Sequence, residues 1–97
     1  MLENLRLNKD FVLIEELEQQ YAGFKIAYEY DDGLRFGRVV KVEPIDEEDK
    51  KRYFIDVNEG DLVWFLPSQK IYFYYNGQAY LILPRNMIIV CETERKE

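Results

Sequence analysis

The chain is 97 residues long, 47% hydrophobic and 33% charged, with 19 acidic against 13 basic residues, no histidine and one cysteine. A length like this holds one core and buries only about 60–65% of its unfolded surface, which favours support from other copies. The net charge of −6 works against nucleic-acid phosphates and anionic membrane surfaces, and the missing histidine removes the usual general base, metal ligand and triad partner.

The opening "MLENLRLNKD" has no positive region followed by an apolar stretch, so it does not read as a signal peptide. No run reaches the roughly 20 apolar residues that cross a bilayer. A soluble, cytoplasmic protein is expected, without nucleic-acid or membrane partners. "FVLIEEL" (11–17) then reads as a strand. Its extension "VLIEELEQQ" is the only helix candidate, but Val12-Leu13-Ile14 favours a strand. "LRFGRVVKVE" (34–43) and the alternating "RYFIDV" (52–57) follow. After them come "DLVWFL" (61–66), "KIYFYY" (70–75), "AYLIL" (79–83) and "MIIVC" (87–91).

Seven strand-like runs separated by turn residues predict an all-β barrel or sandwich. Asn76-Gly77 tolerates positive φ at both positions, so it predicts a type I′ hairpin. Pro67 and Pro84 end strands, since proline cannot donate to a ladder. The tail 92–97, "ETERKE", is charged and expected to fray.

Two longer excursions interrupt the strands. "VEPIDEEDKKRYF" (42–54) carries the charged tip 46–52 expected of an exposed hairpin end. "EQQYAGFKIAYEYDDG" (18–33) is apolar where a surface loop should be polar, which suits a segment awaiting a partner. Its Asp31-Asp32-Gly33 reads as a turn.

Catalytic chemistry is sparse. Cys91 lies in an apolar strand and reads as a packed thiol, and Ser68 has no base nearby in sequence. The cluster Asp46-Glu47-Glu48-Asp49 lacks the spaced ligands and central glycine of a calcium loop. No Gly-rich phosphate cradle is visible. Two carboxylates suffice for some hydrolyses, but nothing selects such a pair. The row Tyr72, Phe73, Tyr74 and Tyr75, with Tyr80 across the hairpin, reads as packing rather than base stacking. Neither an enzyme nor a cofactor or metal is expected.

Taken in order, these stretches resemble the GroES co-chaperonins. "DFVLIEELE" looks like the family's first strand, "YAGF" stands where it has Ala-Gly-Gly, and "FGRVVKVEP" resembles the strand returning from its mobile loop. "VNEGDLVWF" is similar to the Val-x-x-Gly-Asp-x-Val turn and strand, and "NGQAYLILPRNMIIVCE" to the closing segment. The resemblance covers 5–92. It implies a single domain over 1–97, an irregular β-barrel with a mobile loop at 18–35 and a roof hairpin at 43–56, placing Val63 and Phe65 on one face of a central strand and Trp64 on the other.

The family assembles as a heptameric dome that caps a double-ring chaperonin during ATP-dependent folding. By resemblance, Gly23, Phe24, Lys25, Ile26 and Ala27 form the chaperonin-binding segment. Leu5, Leu7, Phe11 and Leu13 of one copy meet Ile88, Ile89 and Val90 of the next, by pairing of first and last strands. Edges of that kind invite strand addition.

This chain departs from the family at several points. Phe24-Lys25-Ile26 replaces a triplet such as Ile-Val-Leu, leaving two apolar anchors that share a side if the segment is extended. Leu7 and Asn8 stand where a proline and a leucine are customary. Tyr28, Tyr30, Leu34 and Phe36 around Asp32-Gly33 resemble a preformed hairpin more than a glycine- and serine-rich loop. Such divergence suits a virus-encoded or specialised member. The alternative expectation is a small-barrel interaction module of the same fold that binds a protein other than a chaperonin. A nucleic-acid-binding barrel would need a basic face. The related barrel of zinc-dependent alcohol dehydrogenases needs Cys and His ligands that this chain cannot supply.

Overall fold

Turn residues at nearly every junction, with apolar side chains between them, bound six strands among the described residues. They are β1 (Phe11–Leu17), β2 (Arg35–Val42), β3 (Leu62–Phe65), β4 (Ile71–Tyr75), β5 (Gln78–Pro84) and β6 (Ile88–Glu92). The computed structural model describes residues 4–18, 34–53, 55–66 and 71–93. All pairings are antiparallel, in one sheet of order β4-β5-β1-β2-β3-β6. The protein is all-β. Among the described residues no helix is long and apolar enough to cross a membrane.

The sheet must curl. β5 and β6 stand four places apart in its order, roughly 19 Å if it were flat. Yet only the 3₁₀ turn Arg85–Met87 joins them, and three intervening residues span at most about 15 Å even when extended. Curling brings Val12, Ile14, Val39, Val57, Val63, Phe65, Leu81, Leu83 and Ile88 into one inner core. A second buried cluster, Phe36, Leu62 and Trp64, occupies the other face, with the Phe36 and Trp64 rings 4.7 Å apart. Val63 and Phe65 thus lie on one side of β3 and Trp64 on the other, as expected. The curl does not close: β4 and β6 end the sheet and are not paired with each other.

The strand expected at 52–57 does not form among its described residues, nor does the hairpin over 43–56. A helical turn, α1 (Glu47–Lys50), takes their place. Asp46 caps it: its Oδ1 accepts from the Asp49 amide at 2.9 Å, and Glu47, Glu48 and Asp49 fill the first turn. Acids there complement the helix dipole. The helix candidate over 12–20 is strand β1 as far as Leu17. At the β4–β5 turn, Asn76 has φ 51° and Gly77 φ 79°, the positive pair a type I′ turn requires. Pro84 is the last residue of β5; Pro67 lies outside the described residues.

Candidate functional site

Gly23, Phe24, Lys25, Ile26 and Ala27 lie outside the described residues, as do Asp31-Asp32-Gly33 and the tail from 94. The points from which that segment leaves and returns are adjacent, because Leu17 and Phe36 are cross-strand partners on β1 and β2.

The residues expected at a subunit interface separate into two groups. β1 pairs with β2 over 12–17 and with β5 over 11–14, so Val12, Leu13 and Ile14 are held on both sides. Leu13 is wholly buried and Ile88 belongs to the inner core. The physical reason is the sheet order, which makes the first long strand a central one. Leu5 and Leu7 are half-buried just ahead of it, as is Phe11 at its start. The Leu7 amide donates to Glu43 Oε1 at 3.0 Å, which fixes that segment against the exit of β2. At the far end β6 presents an outer edge with no pairing among the described residues, where Ile89 is 44% exposed and Val90 half-buried.

One end of the sheet is pinned by Arg85, a buried charge between β5 and β6. Its backbone amide donates to Asp10 O at 2.9 Å, and its guanidinium donates to the carbonyls of Lys9 and Glu43. Burial lowers the pKa of the guanidinium. The group lies 5.8 Å from the centre of the Tyr53 ring. Tyr53 in turn donates to Asp10 Oδ1 at 2.6 Å, a bond that raises the phenol's pKa. The acidic run is engaged around this end. Asp49 accepts from Lys9 Nζ at 2.6 Å, which lowers the carboxyl's pKa, and lies 3.5 Å from Arg52. Beside β6, Arg52, Tyr53, Arg85 and Asn86 line a depression of about 330 Å³ together with Ile55, Ile88 and Ile89.

The turn before β3 has a defined chemistry. Gly60 takes φ 90°, which disfavours any side chain, and its amide donates to Val39 O at 2.8 Å. Buried Asp61 accepts from the Asn58 amide at 2.9 Å and from the Cys91 thiol at 3.2 Å, both through Oδ2. Burial first, then this carboxylate, pushes Cys91 from 9.0 up to about 12. Folding therefore favours the neutral thiol. That contribution is complete below pH 9 and is lost as pH rises through about 12. Iodoacetamide at pH 8 should label folded Cys91 about a thousand-fold more slowly than the unfolded chain. Equal rates would show the thiol to be neither buried nor held by Asp61.

The β4–β5 hairpin is the surprise. The aromatic row is not uniformly packed: Tyr80 is buried, Phe73 and Tyr75 are half-buried, and Tyr72 and Tyr74 are 43% and 71% exposed. No sequence signal marked Arg85 or this exposed face; both depend on where β4 falls in the sheet order. No protein-family model matches the chain, and no curated protein matches it. Among the described residues no three His, Cys, Asp or Glu side chains stand together as metal ligands would.

Proposed function

We propose that the protein is a co-chaperonin of the GroES type. In this reading its curled sheet is the family's irregular β-barrel. Copies assemble as a heptameric ring, and the ring caps a double-ring chaperonin through 23–27 during ATP-dependent folding, with no chemistry of its own. The observation that carries the reading is the turn at 57–63. Gly60 needs its positive φ there, and Asp61 closes the turn through its carboxylate before Val63 enters the core. The residues that make the motif resemble the family's are thus the ones the turn requires. The open β6 edge and the half-buried Leu5 and Leu7 support ring assembly by strand addition.

Weak contacts repeated around such a ring act together, because each loop after the first binds at high effective concentration. Phe24→Ser with Ile26→Ser should therefore abolish ATP-dependent capping of a double-ring chaperonin while leaving the ring's mass unchanged. Native mass spectrometry with and without chaperonin and nucleotide reads both outcomes. Persistent capping by the double variant removes the assigned contact. A wild-type chain that assembles but never binds a chaperonin supports the interaction module instead.

A further inference from the structure

We propose that β4 is a second self-association edge. Two copies of this chain join β4 to β4 about a two-fold axis at Phe73, making one continuous sheet across the pair. The outer edge of β4 has no strand beside it among the described residues, and Ile71, Tyr72 and Tyr74 are 41%, 43% and 71% exposed. Edges are ordinarily blunted by charge, proline or a bulge. Residues 71–75 carry no charge and no proline, and their register with β5 runs without a break. β6, by contrast, ends in Glu92 and has a register shift in its pairing with β3.

Charge does not bar a second copy from this edge. Residues 71–84 form the longest uncharged run in a chain that is 33% charged and carries a net −6. Two such chains repel over most of their surfaces. Contact through this hairpin brings no carboxylate of 71–84 into the joint from either copy. The edge is also self-complementary, as a two-fold requires. Pairing centred on Phe73 sets Tyr72 of each copy opposite Tyr74 of the other, and Ile71 opposite Tyr75. Both faces are prepared for it: Tyr72 and Tyr74 lie 6.2 Å apart on one, and Phe73 and Tyr75 stack at 6.3 Å on the other.

The joint is independent of the chaperonin reading, since it doubles whatever assembly the rest of the surface makes. Light scattering and native mass spectrometry of the full chain test it. Tyr72→Lys with Tyr74→Lys places like charges opposite each other and should halve the mass while the circular dichroism stays that of the wild type. Tyr72→Glu with Tyr74→Lys places opposite charges there and should restore it. Amide exchange over 71–75 in the wild type should slow as concentration rises. Equal masses for wild type and the double-lysine variant overturn the proposal, as does exchange that ignores concentration. A Glu/Lys variant that stays at half mass overturns the two-fold register and points to a different strand on this edge. If the ring reading alone fails, the halving persists as dimer to monomer.

Discussion

Replacing Gly37 with alanine should cost about 3 kcal/mol of stability, the upper part of the range for overpacked cores. Gly37 sits in β2 between Glu16 of β1 and Val63 of β3, so strands confine it on both sides. A Cβ there would lie 2.5 Å from Ile14 Cγ2 and 2.6 Å from the Glu15 carbonyl oxygen. The first contact is with a β-branched side chain held in the inner core, and the second is with backbone. Relief therefore requires β1 and β2 to part, next to the register shift at Leu13/Ile14. Urea unfolding should show the midpoint falling by about 1–3 M. Gly77→Ala is the control: nothing lies within 4 Å, and only its φ of 79° is strained, worth about 1 kcal/mol. Equal losses at the two positions would mean that strand spacing at Gly37 is looser than these contacts require.

Gly37 also shows what the sequence could and could not convey. "RFGRVV" reads as a strand because its Val and Phe dominate, and a strand it is. That its glycine makes room for a neighbouring strand depends on β1 lying beside it, which no local pattern states. The same holds elsewhere. Asn76-Gly77 announced its turn because the dihedral demand is local. β1, β3, β5 and β6 were legible from apolar runs bounded by turn residues. The 52–57 run departs from the strand its alternating pattern predicts, because period-2 alternation is a weak signal in six residues. Asp46, three residues before Asp49 and followed by acids, was the better local cue, and it caps a helical turn. With that turn formed, Tyr53 goes to Asp10, while Val57 enters the inner core. Leu5, Leu7 and Ile89 were legible as apolar residues near the chain ends. That β1 is central, leaving β4 as the other edge, follows only from the sheet order.

Arg85→Met should be comparably damaging, for a different reason. Methionine fills much of the volume but donates nothing, so the carbonyls of Lys9 and Glu43 lose the donors that now satisfy them. Hydrogen bonds from a charged donor contribute about 1.5–3 kcal/mol each, so losing these two part-buried ones gives roughly 3 kcal/mol after rehydration of the carbonyls. Arg85→Lys should recover only part, because a single ammonium cannot reproduce the planar fork that serves two carbonyls. The loss has a location. Arg85 ties residues 9–10, 43 and 53 to the β5–β6 junction, and the Leu7 amide is held by Glu43. Hydrogen exchange in Arg85→Met should therefore quicken over 5–10 and 43–53 before it changes in β3. Leu5 and Leu7 lie in that released segment, so an assembly that uses them should dissociate at higher protein concentration than the wild type. The Tyr72/Tyr74 hairpin shares none of these bonds and should keep its own association. A variant with unaltered exchange over 5–10 would show that Arg85 fills space without fastening the N-terminal segment.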